Sequence, residues 1–186
     1  MIILSGVAGS GKSLQGRLLA DEQGFAWIST GELLRVLVTG KQRHLMLQGE
    51  LLSDAAMIEI LDKVFDLIDL SNEFVLDGFP RTVGQAKWLI GQVKKDRLSV
   101  DAIFDLTAPQ AIVRERLQGR GRLDDTDIAI DNRLEEYDTV TRKIMDLFKQ
   151  EKMPVYEVDA SQAPQLVHDS ILRHVEALNI TDDDQN

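Results

Sequence analysis

Gly6-Val7-Ala8-Gly9-Ser10-Gly11-Lys12-Ser13 reads G-x-x-x-x-G-K-S, the spacing of a loop that cradles phosphate. The run before it, Met1 to Ser5, is short, apolar and rich in Ile, as a strand buried on both faces of a parallel sheet should be. The run after it, Leu14 to Gln23, carries Leu14, Leu18 and Leu19 at helical spacing. Strand, glycine loop and helix therefore follow in the order the chemistry needs. Glycines let the backbone curl so that successive N–H groups point at one anion. The helix mouth adds a partial positive charge. Lys12 brings a full charge to the outer phosphates, and the Ser13 hydroxyl is placed to face Mg²⁺.

The chain around this loop has 186 residues, enough for one domain with a sizeable core, and an ordinary globular balance of 44% hydrophobic and 28% charged residues. It contains no cysteine, which removes disulfides, a thiolate nucleophile and a cysteine-based zinc site. His44, His168 and His174 are scattered without ligand spacing and are expected at the surface or in packing. No apolar run reaches the length of a membrane span. Met1 leads directly into a core strand, read here as leaving no room for a signal peptide, so a cytoplasmic location with no membrane partner is expected. The net charge of −10 argues against a nucleic-acid surface, which needs a basic face. An acidic chain that binds polyanions must instead gather its cations locally.

Periodicity places the remaining elements. A second strand is expected at Phe25 to Ser29, and a helix from Glu32 to Val38 with Ser29 and Thr30 offering hydroxyl caps. A short helical piece follows from Lys41 to Gln48, ending at Gly49. Asp54 is expected to cap a longer helix with Met57, Ile58, Leu61, Val64, Phe65 and Ile68 on its apolar side, closed by Asn72. Strands are expected at Phe74 to Leu76, Ala102 to Leu106 and Val155 to Val158. Helices are expected at Val83 to Lys95, from Pro109 through Leu117, and at Ala163 to Ala177. Gln118 to Asp125 reads as a polar surface loop. Beyond it, Leu134, Tyr137, Thr141, Ile144 and Phe148 mark one long helix. Thr181 to Asn186 reads as an acidic, frayed tail. Strands alternating with helices predict an α/β fold: a three-layer, doubly wound, five-stranded parallel sheet with its ligands beyond the strands' C-terminal ends.

Two further groups of residues fall at that end. Asp77-Gly78-Phe79-Pro80-Arg81 puts a carboxylate beside the glycine loop, where it can hold Mg²⁺ directly or through water, and an arginine that can fork onto a phosphate. Arg116 and Arg120 share a helix face if the helix continues that far, with Arg122 in the loop beyond and Arg133 on the next helix. Such a group can close over a polyphosphate; the plainer reading is a solvated charged face salted with Asp124, Asp125, Glu135 and Glu136. With Lys12, Arg35 and Arg81, the candidate cations number seven of the 21 Lys and Arg.

These residues resemble the adenylate kinases of the nucleoside monophosphate kinase family from end to end. The matching pieces are the glycine loop, Ser29-Thr30-Gly31-Glu32-Leu33-Leu34-Arg35, Leu76-Asp77-Gly78-Phe79-Pro80-Arg81-Thr82 with Gln85, Arg116 with Arg120, Arg122-Leu123-Asp124-Asp125, and Arg133-Leu134-Glu135-Glu136-Tyr137. The resemblance implies a P-loop kinase core over residues 1–186, a monophosphate-binding part at about Thr30 to Leu52, and a short lid at about Gly119 to Thr126. It implies that Gly9, Ser10, Gly11, Lys12, Ser13 and Leu14 hold the ATP phosphates and that Arg116 lies on the ATP adenine. Thr30, Arg35, Gly78, Arg81 and Gln85 would bind AMP, with Lys12, Arg81, Arg120, Arg122 and Arg133 as the catalytic set. Ser13 and Asp77 would attend Mg²⁺, with no structural zinc. The partners implied are ATP and AMP or ADP, acting on a monomer.

The chain departs from the family pattern in three places. Ser13-Leu14 stands where Gly-Thr is usual. The monophosphate-binding part is several residues short, with Glu50 where Lys is common. The lid is very short and has no cysteines. A UMP or CMP kinase and a nucleotide-binding regulatory module without transferase activity are the alternatives. Thr30 and Gln85 speak against the first, since pyrimidine kinases usually have Ala where Thr30 stands.

Overall fold

A computed structural model describes residues 1–48, 50–122 and 125–183, with the side chains of 179–183 outside the description. Gly49, Leu123 and Asp124, and the final three residues of the expected tail, lie outside the described residues. Five strands, β1 (Ile2–Gly6), β2 (Ala26–Ser29), β3 (Phe74–Asp77), β4 (Ala102–Thr107) and β5 (Val155–Asp159), form one all-parallel sheet in the order β2-β3-β1-β4-β5. The nine α-helices among the described residues are α1 (Lys12–Gln23), α2 (Thr30–Leu37), α3 (Gly40–Leu47), α4 (Asp54–Phe65), α5 (Val83–Val93), α6 (Gln110–Arg120), α7 (Asp127–Glu136), α8 (Arg142–Gln150) and α9 (Pro164–Asp183).

The middle strand explains the three layers. Successive side chains of a strand point to opposite faces. Ile3 joins Leu76, Leu61, Leu89 and Phe148 on one face, beneath α4, α5 and α8. Ile2 and Leu4 join Val75, Phe104, Leu19 and Ile171 on the other, beneath α1 and α9. A smaller cluster of Val7, Val113, Leu117, Ile130 and Leu134 packs α6 and α7 beside the glycine loop. Among the described residues no helix is long and apolar enough to cross a membrane.

Several boundaries differ from the expectation, each for a local reason. Ser53, not Asp54, caps α4: its hydroxyl accepts from the Ala56 N–H at 3.3 Å. Both residue types suit that position, and Asp54 is drawn instead into a tertiary contact described below. α4 ends at Phe65, so Ile68 packs from the turn that follows. α2 begins at Thr30, whose hydroxyl caps nothing; it crosses to the end of β3. α6 continues through Arg120 to a left-handed Gly121, which shortens the loop expected from Gln118. α9 runs on to Asp183. The long helix expected around Leu134 to Phe148 is interrupted by a π-helical turn over Tyr137–Thr141.

The glycine loop springs from the sheet's centre, where β1 lies between β3 and β4. Gly6 closes β1 at φ 128°, and a Cβ there would collide with the Leu106 carbonyl oxygen and lie 2.8 Å from the Leu106 nitrogen. Both obstacles are backbone, so neither can step aside. Gly6→Ala is therefore expected to cost about 2–4 kcal/mol, read from the urea midpoint at unchanged m-value.

Candidate active site

The C-terminal ends of β1 and β3 and the helices beyond them enclose a cleft of about 510 Å³. On its floor, Gly9 and Gly11 adopt φ 81° and 97°, and α1 opens at Lys12 with no side-chain cap. The helix-mouth N–H groups are thus left for an anion. The Lys12 ammonium donates to the Gly6 and Val7 carbonyls, both at 2.8 Å. Burial pulls its pKa down from 10.5 to about 8; Asp77 opposes this and Arg81 adds to it.

Asp77 ends β3, buried, and accepts from the Ser13 hydroxyl at 2.7 Å. Hydroxyl and carboxylate oxygens are the donors Mg²⁺ takes, so this pair fits the ion. Phe79 and Pro80 pass through a cis peptide into Arg81, whose Nε donates to the Gly78 carbonyl at 2.8 Å. The Thr30 hydroxyl donates to the Gly78 and Asp77 carbonyls at 2.9 and 3.2 Å, tying α2 to the same turn.

The cations come together as a set. Lys12, Arg35, Arg81, Arg116, Arg120, Arg122 and Arg133 all line the cleft, as do Gly9, Gly11, Ser13, Leu14, Asp77 and Gly78. Ser10, Thr30 and Gln85 do not; they are buried at 3%, 1% and 2% exposure. Arg116 is held at the rim by the Ala160 and Ser161 carbonyls, at 2.6 and 3.2 Å. Arg120 forks onto Asp125 at 2.8 and 2.6 Å, and Arg133 reaches the same carboxylate at 3.0 Å. Glu32 accepts from Arg122 at 3.0 Å and from Arg35 at 3.3 Å, joining the segment after α6 to α2.

Sequence reasoning missed the acids that organise these cations, and one cation. Glu32 and Asp125 sit in the quoted motifs, but nothing in them shows which arginines they serve. Glu136 lines the cleft, its pKa raised by burial and drawn back by Arg81, Lys12 and Arg133. Asp105 stands opposite Ser5 in the β1–β4 register. Its pKa is raised by burial, with the Tyr137 hydroxyl donating to it at 3.2 Å. A charged residue inside the apolar run Ile103-Phe104-Asp105-Leu106 was the available signal. Arg17 also lines the cleft, 4.8 Å over the Trp27 ring. Among the described residues no group of histidines and acids has metal-binding geometry.

The arrangement offers a backbone nest, converging cations and hard oxygen donors, a set that can hold and neutralise phosphates. Lys12 makes this testable. In the free protein it loses its proton near pH 8, and a phosphate beside it favours the charged form. Binding a nucleoside triphosphate at about pH 8.5, where the nucleotide is fully ionised, should therefore draw a proton from solvent. Calorimetry in buffers of different ionisation enthalpy reads that uptake. It should vanish in Lys12→Arg, and affinity should fall as pH rises through the Lys12 pKa.

The family model for adenylate kinase matches residues 4–153. An adenylate kinase of Tropheryma whipplei is 36% identical over 175 residues, covering 91% of this chain and 94% of that one. One from Prochlorococcus marinus is 36% identical over 156 residues, covering 81% and 85%. One from Leptospira biflexa is 35% identical over 158 residues, covering 80% and 85%. With the glycine loop, the cleft and its eight cations in one place, the chain belongs to the adenylate kinase family of phosphotransferases.

Proposed function

We propose that the protein transfers the γ-phosphoryl group of ATP reversibly to AMP, giving two molecules of ADP. The observation that carries this reading is the convergence of all seven candidate cations on the cleft floored by the glycine loop. Phosphoryl transfer between nucleotides asks for in-line placement and charge neutralisation more than covalent help. Gly9 to Leu14 hold the donor phosphates, and Lys12 exchanges the Gly6 and Val7 carbonyls for them. Arg116 lies on the donor base. Arg35 and Arg81 hold the acceptor phosphate, while Thr30, Gly78 and Gln85 surround the acceptor base. Arg120, Arg122 and Arg133 face the transferring group. The acceptor oxygen is already ionised, so no general base is needed.

Ser13 and Asp77 would hold Mg²⁺, which supplies charge neutralisation on the donor phosphates when bound. Residues 30–52 act as the monophosphate-binding part and 119–126 as a short lid. The bridge from Glu32 to Arg122 and Arg35 supports a shared closure of the two, which would exclude water and suppress hydrolysis. The same reading makes the protein a cytoplasmic monomer with no nucleic-acid partner.

Arg81→Ala should lower kcat by about 10²–10³, the scale of losing one preorganised charge donor, with the unfolding midpoint unchanged. Near-normal turnover in that variant would remove Arg81 from the acceptor site. A coupled assay with ATP and each of AMP, GMP, UMP and CMP tests the acceptor directly. ADP formation fastest with AMP is expected. Preference for UMP or CMP would make the protein a pyrimidine nucleotide kinase, and no transfer to any of the four would leave a nucleotide-binding module.

A further inference from the structure

Asp54 is spared from capping α4 because its carboxylate is spent elsewhere. Oδ1 accepts from the Thr82 hydroxyl at 2.7 Å and from the Gln85 amide nitrogen at 3.1 Å. Thr82 in turn accepts from the Gln85 backbone N–H at 3.1 Å. On its other side, the Gln85 side-chain oxygen accepts from the Arg81 backbone N–H at 2.8 Å. The contact is built for: Gly84 has no side chain, and a Cβ there would collide with Asp54 Oδ2.

These bonds fix which way round the Gln85 amide lies. Turned over, its oxygen would face the Asp54 carboxylate and its NH₂ would face the Arg81 N–H, so both ends would repel. A glutamine amide has two N–H donors and a carbonyl with two lone pairs. One donor and one lone pair are committed, which leaves one of each. Adenine offers an amino donor beside a ring-nitrogen acceptor; guanine offers the reverse, a carbonyl acceptor beside a ring N–H donor. An amide locked one way round matches one of these purines and opposes the other.

We propose that Asp54 is a specificity-determining positioning residue: by holding the sense of the Gln85 amide it sets the preference for adenine over guanine in the acceptor nucleotide. This rests on the reading of Gln85 as an acceptor-base contact. Asp54 begins α4, just beyond the monophosphate-binding part, so docking of that part and orientation of the base reader depend on one carboxylate.

The test compares kcat and KM for AMP and GMP, with ATP as donor, in the wild type, Asp54→Asn, Gly84→Ala and Gln85→Ala. Asn keeps the volume of Asp54 but can present oxygen or NH₂, so only the Arg81 N–H still opposes the turned-over amide. Gly84→Ala suits the first turn of α5 and displaces the carboxylate while Asp54 itself is unchanged. Both variants should raise KM for AMP and narrow the AMP-to-GMP ratio of kcat/KM by about tenfold, with KM for ATP unchanged. A merely structural role would lower stability or kcat for both acceptors alike and leave the ratio where it was. An unchanged ratio in these two variants, alongside a collapsed ratio in Gln85→Ala, overturns the role of Asp54 alone. An unchanged ratio in Gln85→Ala overturns the underlying reading of Gln85. If Asp54→Asn does not fold, Gly84→Ala decides.

Discussion

Like charges converging on one cleft repel each other, and the structure is arranged around containing that repulsion. Two cations about 4 Å apart near a protein surface oppose each other by about 4 kcal/mol. Here Arg17, over the Trp27 ring, lines a single cleft with seven further cations. Each of the seven is met by an acceptor: Glu32 stands between Arg35 and Arg122, and Asp125 between Arg120 and Arg133. Lys12 leans on two carbonyls, Arg81 on one and Arg116 on the loop after β5. These acceptors keep the cations aimed while no anion is bound. Under the proposed function a phosphate would enter by exchange, replacing a carboxylate or carbonyl in a geometry already set. This is how a chain of net charge −10 presents a positive cleft.

The sheet makes the convergence possible. With β1 at the centre, the glycine loop rises where strand order reverses, and the turns after β2 and β3 arrive beside it. α6 and α7 reach it from the far side and are anchored by their own apolar cluster, Val7 with Val113, Leu117, Ile130 and Leu134. Backbone crowding at Gly6 and Leu106 keeps loop and sheet in register. Rigid elements therefore place the cations, and Glu32 joins the segments that carry Arg35 and Arg122.

What the sequence made legible was local. The glycine loop, the Asp77 turn and the arginine spacing each fit within a few residues, so pattern and chemistry could be read together. What it hid was long-range. Glu32 and Arg122 are 90 residues apart, and Asp54 and Gln85 are 31 apart. Asp105 gains its meaning from the strand register that sets it against Ser5 and from the Tyr137 hydroxyl that donates to it, 32 residues away. Asp54 looked like a cap because an acid at a helix start is a good one, and Ser53 beside it is as good. The π turn was invisible because Leu134, Tyr137, Thr141, Ile144 and Phe148 keep steps of three and four straight through it.

That turn sets a rotational phase. In a regular α-helix each residue advances about 100° round the axis, and a π turn adds one residue to a turn. Without Tyr137–Thr141 in this form, the residues of α7 would be rotated by roughly that angle relative to α8, whose Ile144 and Phe148 are committed to the core. Arg133 and Glu136 would then leave the cleft, and Ile130 and Leu134 would leave the cluster that anchors α7. One inserted residue thus lets a single rod serve two masters: its lower half keys into the sheet, and its upper half turns Arg133 and Glu136 to the cleft.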